Sequence, residues 1–574
     1  MKEIETIKSA WQELYGDGYN LMLDEFVKFL NDFKNQHLIK PQEPEWYKDA
    51  IVYSLYVDLF NKTFDGLNEK LDYIQNLGMN CLWLLPILDS PMRDAGFDIR
   101  QYDKVRDELL GLPTNATDEE KQKAFRDFLD EAHKRNIKVI FDIAMNHTSD
   151  QHPWFLESRK GVDNPYHDFY IWNKDTNRYT ATRLLFKGME DSNWEKDGDC
   201  YFFHRFFNFQ PDLNYRNPQV LTEMSKNLLF WLSQGVDGFR ADAIPYIWKE
   251  EGTDCENLPK THTVVRFFRA VVDYIRPHTL LLAEACQKPV EVVKYFGNGD
   301  ECNAGYHFPL MPQMFKALAM QSKEPVQKTL SRAITPEIPE NVQWFTFLRC
   351  HDELSLELVY VSEEDRAYIH KNYCHQPEWN FRVGEGVSAR LAELMQRNPD
   401  KIALAYSVML TLPGTPIIYY GDEFGKLNDE AYYREKIVEI GKDDTRFLVR
   451  GKIDWQQLEK DLQNKDSFSS QVFNTISQLV KTRKQYAAFG RGSIKWLEVT
   501  DKNGLANDYI MAYLREWEAE KLLILHNLSD KPQTFHLDLK DEMGQVDLFG
   551  KKIIFDKESG EMRMKPFDYL WIKL

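Results

Sequence analysis

From Trp46 to about residue 430, short apolar runs rich in β-branched and aromatic residues alternate with helical stretches. The runs are AIVYSLYVD (50–58), MNCLWLLPI (79–87), IKVIFDIAM (137–145), VDGFRADAI (236–244), TLLLAEAC (279–286), NAGYHFP (303–309), VQWFTFLRC (342–350) and TPIIYYGDE (415–423). Near-continuous apolar runs suit strands buried on both faces of a parallel sheet. Eight of them, separated by helices, make an α/β fold of the TIM (β/α)8 barrel type, with an open doubly wound sheet as the competing architecture. The interval between the third and fourth runs is far longer than one helix needs. Its first part (147–215) is aromatic and turn-rich, and reads as an inserted domain after strand 3. Ahead of the barrel, Leu21, Leu23, Phe26, Phe29, Leu30 and Phe33 recur at helical spacing, predicting a helical extension over residues 1–45. Beyond about residue 490 the pattern turns to alternating strands, and a C-terminal antiparallel β-domain, a sandwich, is expected over 491–574. The barrel itself then spans 46–146 and 216–490.

The chain's 574 residues are 43% hydrophobic and 14% aromatic, enough for a large core and for rings on which sugars stack. A net charge of −18 repels phosphate backbones, so nucleic acid and anionic membranes are poor partners. The longest apolar stretch, from Ile402, is broken by Pro413, Gly414 and Pro416 and suits a helix, a turn and a strand better than a membrane span. Seven scattered cysteines without a CxxC give no disulfide framework or zinc ribbon, and the N-terminus lacks a signal-peptide core; a cytoplasmic location is expected.

Chemistry-bearing residues gather at the C-terminal ends of the proposed strands, where barrel active sites are built. Strand three ends in Asp142 to His147, strand four in Arg240 and Asp242, strand five in Glu284, and strand seven in His351 and Asp352. A single carboxylate there is as easily a structural capping group. Four neighbouring strand ends delivering carboxylate, Arg or His to one rim are harder to explain structurally. Retaining glycoside chemistry needs one carboxylate to attack the anomeric carbon and another to protonate the leaving oxygen. Arg240 and Asp242, two apart on one strand, point to the same side, so Arg240 can hold Asp242 ionised. Glu284 on the opposite flank needs apolar walls that raise its pKa.

The blocks DIAMNH (142–147), GFRAD (238–242), AEA around Glu284, HD (351–352) and QPDLN (210–214) resemble the signature regions of the α-amylase superfamily, in order and spacing. The resemblance covers roughly residues 46–430. It implies Asp242 as nucleophile, Glu284 as general acid/base and Asp352 as transition-state stabiliser. It further implies that Asp98, His147, Arg240, His351 and Phe97 line the sugar subsite beside the scissile bond. RDAGFDIRQY (93–102), MNHTSDQHPWF (145–155) and EGTDCENLPKTH (251–262) are similar to the trehalose synthase subfamily, which rearranges maltose into trehalose.

Four departures stand out. Phe97 occupies a usual Tyr position, Cys350 a usual Asn position, and Asn208-Phe209 a usual Ser-His pair, while the segment after Gly421-Asp422-Glu423 leaves the subfamily pattern. The resemblance requires no cofactor but raises a structural calcium held by Asn146, Asp212 and the Tyr246 carbonyl. Against it, Lys249 stands where the subfamily places a Glu ligand, and Asn146 and Asp212 could instead hydrogen-bond across the domain junction. The implied activity is trehalose-synthase-like transglucosylation of maltose or short α-1,4-glucosides. The alternatives are α-amylase- or α-glucosidase-type hydrolysis of α-glucans and, remotely, a non-catalytic accessory barrel.

Overall fold

The computed structural model describes residues 2–539, 544–556 and 559–574. Eight parallel strands close a barrel: β1 (Val52–Leu55), β2 (Cys81–Leu84), β3 (Lys138–Ala144), β4 (Gly238–Asp242), β5 (Leu280–Ala283), β6 (Ala304–Tyr306), β7 (Gln343–Phe347) and β8 (Thr415–Tyr419). Each pairs with its sequence neighbours, and β1 pairs with β8 to complete the ring. Every apolar run singled out above contains one of these strands, and the open-sheet alternative is overturned by the closure of β8 on β1. Residues on all eight strands are buried nearly throughout, because helices cover one face and packed side chains fill the other.

Register is what aims the chemistry. Asp142 on β3 is paired with Arg240 on β4, and Arg240 with Leu282 on β5. Alternation then sends Arg240 and Asp242 to the same side of β4. The helix that follows the insertion, Pro218–Gln234, starts with Pro218 in its first turn, is capped by Asn217 accepting from the Gln219 N–H at 3.0 Å, and stops at Gly235 with φ 109°.

The interval between β3 and β4 contains a small antiparallel sheet of Trp172–Asn173, Cys200–Phe203 and Trp194–Asp197. A second excursion lies between β7 and β8, with a helix (Glu363–Tyr373) and three two-residue strands around Ser355, Phe381 and Val387. Sequence analysis marked only the first. The second escapes pattern reading because two-residue strands have no alternation to detect, and its helix is polar on most faces.

At the C-terminus a four-stranded antiparallel sheet (Ser493–Trp496, Ile510–Trp517, Glu520–Asn527, Tyr569–Lys573) packs one face on a three-stranded sheet through Ile510, Leu514, Leu523, Phe535 and Met562. Its other face, with Tyr513, Ile524 and Trp571, joins the main core. No helix among the described residues is long and apolar enough to cross a membrane.

Two N-terminal helices, α1 (Lys2–Tyr15) and α2 (Asn20–His37), lie on α3 (Pro259–Ile275), the helix that follows β4. Trp11 and Phe26 pack on Phe267 with ring centroids 6.1 and 5.8 Å apart, and Tyr15 donates to the Tyr215 carbonyl at 2.8 Å. Trp11 is fully buried, so Trp11→Ala should cost about 3–5 kcal/mol. Scanning fluorimetry should show a lowered midpoint; an unmoved one would mean that the extension docks without contributing stability.

Candidate active site

Arg240 organises the centre of the barrel mouth. One of its terminal nitrogens lies 2.9 Å from Asp142 and also pairs with Asp242; the other is 3.7 Å from Glu284. Asp142 additionally accepts from the Trp83 indole N–H at 2.8 Å. Glu284 accepts from the Ala243 N–H at 3.0 Å through one oxygen, and the Cys286 thiol donates to the other at 3.1 Å. Burial pushes Asp242 up to about 6 against the opposing pull of Arg240. It also raises Glu284, with the Asp242 charge adding to the effect.

Asp352 faces this group from the end of β7. Its Oδ1 accepts from Arg446 at 3.2 Å and Arg450 at 3.1 Å, and His351 lies 3.1 Å from Oδ2. Burial holds His351 neutral, with a pKa near 3. The two arginines, rather than an imidazolium, therefore outweigh the burial of Asp352 and keep it well below the usual carboxylate range. Asp242, Glu284 and Asp352 share a cavity of about 300 Å³ with Phe97, His147, Arg240 and His351. The ring of Phe97 stacks on His351 at 5.6 Å, and His147 packs on Phe206 at 5.0 Å.

Asp98 does not join them. Its carboxylate is fully buried and accepts from the Ser90 hydroxyl and the Arg93 and Asp94 N–H groups, bracing the 90–98 turn. Asp94 reaches the cavity instead, accepting from Gln210 at 3.0 Å and lying 3.5 Å from Arg446. It is the other acid of RDAGFD, and the three residues of tight turn between them decide which of the two faces the cavity. Sequence reasoning also missed Arg446 and Arg450, which come from the segment with no family pattern to follow.

The Alpha amylase, catalytic domain family matches residues 58–492, and the Alpha-amylase SusG C-terminal domain matches 510–568. The chain belongs to the α-amylase family. Trehalose synthase/amylase TreS of Mycolicibacterium smegmatis is 39% identical over 88% of this chain and 88% of its own length. Trehalose synthase of a Pimelobacter species is 38% identical over 88% and 91%. Among solved structures, the trehalulose synthase MutB in complex with Tris superposes with a TM-score of 0.69 at 23% identity, covering 92% of this chain and all of that one. The α-amylase of H. orenii gives 0.68 at 22%, covering 91% and 99%. At that identity the structures show the shared fold.

The calcium that this family raises does not fit the residues present. The Lys249 ammonium, almost wholly buried, lies 2.6 Å from Asn146 Oδ1 and 2.8 Å from Asp212 Oδ2. The backbone carbonyl that the ammonium reaches is that of Ile247, at 3.5 Å, while the expected ligand residue Tyr246 lines the cavity. A divalent ion at these oxygens would meet a fixed positive charge. Asn146 and Asp212 still tie barrel to insertion, since the Leu213 N–H donates to the Asn146 carbonyl and the Lys249 ammonium bridges the two side chains. The thermal midpoint should therefore be indifferent to EDTA and to added Ca2+. Lys249→Met, which strands the Asp212 charge, should cost about 3–5 kcal/mol. A chelator-dependent midpoint in the unsubstituted enzyme would overturn the fit.

Proposed function

We propose that the chain is a retaining transglucosylase that converts maltose into trehalose, with Asp242 as nucleophile, Glu284 as acid/base and Asp352 as the third carboxylate. The observation that carries the chemistry is the single guanidinium of Arg240 spanning Asp242 and Glu284, with Asp352 in the same small cavity. The relatives at 38–39% identity, named trehalose synthases, support the choice of reaction.

In this reading Asp242 Oδ1 is held by Arg240, and Oδ2 attacks the anomeric carbon of maltose. The glycosidic C–O bond breaks as the Glu284 proton passes to the leaving oxygen. The freed glucose turns in the cavity, and its own anomeric hydroxyl attacks the glucosyl-enzyme while Glu284 takes the proton back. Two inversions leave the α configuration unchanged. Asp94, His147 and His351 line the subsite where the sugar hydroxyls would lie, and ionised Asp352 stabilises the oxocarbenium charge. The seven cysteines, free of disulfides among the described residues, fit a reducing compartment, and the reading locates the enzyme in the cytosol.

Incubation with maltose should give trehalose in excess of glucose, and Asp242→Asn should lower the rate about 10⁴-fold or more while the protein stays folded. Glucose without trehalose would restrict the enzyme to hydrolysis, and a variant retaining a few per cent of activity would remove Asp242 from the mechanism.

The pH profile depends on the same groups. Asp242 must be ionised, so kcat/KM should fall as pH drops through about 6. Glu284 must hold its proton, so activity should also fall as pH rises through its elevated pKa. Glu284→Gln, assayed on an aryl α-glucoside whose phenolate leaves unaided, should lose that alkaline limb while keeping the acidic one. Persistence of both limbs would assign the alkaline one elsewhere.

A further inference from the structure

Three phenyl rings of the inserted segment form a column beside the cavity. Phe186 stacks on Phe207 at 4.3 Å and 9°, and Phe207 on Phe209 at 5.0 Å and 13°. Each ring carries a cation from a different barrel loop. Arg382, after β7, lies 4.4 Å from Phe186; Lys442, after β8, lies 4.4 Å from Phe207; Arg93, after β2, lies 4.3 Å from Phe209. Phe186 and Arg382 line the cavity, whereas Lys442 and Glu190 do not.

Lys442 makes a second contact, donating to Glu190 Oε1 at 2.8 Å; the Glu190 side chain is only 8% exposed. Glu190 belongs to the same turn as Phe186, because the N–H groups of Met189 and Glu190 both donate to the Phe186 carbonyl, with Gly188 at φ 82° between. Fixing Glu190 therefore fixes a ring that forms the cavity wall. Phe209 and Lys442 both lie in segments that leave the trehalose synthase pattern, and they meet here, the ammonium 5.5 Å from the ring centroid.

We infer that the Lys442–Glu190 pair is a latch across the top of the cavity, which sets how the glucosyl-enzyme is divided between water and the retained sugar. This rests on the transglucosylation reading above. Lys442 and Glu190 touch no substrate; they are positioning residues acting through Phe186 and the ring column. A part-buried ion pair combined with a cation–π contact supports a bias of about fivefold between shut and open roofs.

The test uses the full chain carrying Lys442→Met, Glu190→Gln and the double substitution. Each single variant should raise the ratio of glucose to trehalose formed from maltose about fivefold, and the double should raise it no further, because the two share one contact. Dissociation of deoxynojirimycin, followed by stopped flow, should quicken by the same factor. The first-turnover release of phenolate from an aryl α-glucoside should stay unchanged, since the carboxylates are untouched. Unchanged ratio and dissociation in both single variants, or effects that add in the double, would overturn the latch. An unsubstituted chain that makes glucose and no trehalose would instead defeat the transglucosylation reading, and inhibitor dissociation alone would then decide the latch.

Discussion

A guanidinium buried beneath a barrel mouth survives only if carboxylates surround it, and this requirement shapes the centre of the molecule. Removing the charge of Arg240 from water costs several kcal/mol unless partners offset it. Asp142, Asp242 and Glu284 do so from three adjacent strands, and they converge only when the β3–β4–β5 register is kept. Burial raises all three acids against the pull of the one cation they share, Asp142 to about 7 and Asp242 to about 6, with Glu284 also raised. Asp352, facing two arginines of its own, is driven the other way. Carboxylates pushed apart in this manner are what a proton donor and its ionised neighbours require. Fold and acid–base chemistry thus rest on the same ion pairs.

The same matching of charge operates at the junction with the inserted segment. A calcium ion would demand roughly six or more oxygen ligands, whereas one lysine supplies a single ammonium at the cost of its own side-chain entropy. Lys249 neutralises Asp212 and occupies the amide oxygen of Asn146. The α1–α2 pair reinforces the region from outside, where Tyr15 packs on Trp248, the residue preceding Lys249, and donates to Tyr215 at the end of QPDLNY.

The barrel was legible because its signal is local: each strand is a short run of apolar residues, and parallel burial removes the polar alternation that would blur it. The strand-end clustering of Asp242, Glu284, His351 and Asp352 was legible for the same reason, since a closed barrel converts positions along separate strands into one rim. Asp94 and Asp98 mark where that logic stops. Both acids belong to one turn, and only the hydrogen bonds that Asp98 takes from Ser90, Arg93 and Asp94 decide which acid turns inward. No periodicity carries that information. The excursion between β7 and β8 was missed on similar grounds, its strands being too short to repeat.

The features that the sequence leaves dark have a physical pattern of their own. The groups to which the proposed mechanism gives the making and breaking of bonds sit on strand ends, where position along the chain dictates position in space. The groups proposed to steer the glucosyl unit afterwards sit on loops: Phe186, which lines the cavity, stacks in a column with Phe207 and Phe209 of the insertion, and the three rings meet Arg93, Arg382 and Lys442 from three other connections. A contact between two residues over 200 positions apart, such as Glu190 and Lys442, leaves no trace in either local stretch. Reaction type in this barrel is therefore written in segments that can be read singly. The fate of the intermediate is written in relations among segments, which exist only after the chain has folded. That separation permits the loops to change while the carboxylates stay, and two of the four departures from the subfamily pattern, at 208–209 and after residue 423, fall in such loops; the other two, Phe97 and Cys350, line the cavity itself beside carboxylates that remain.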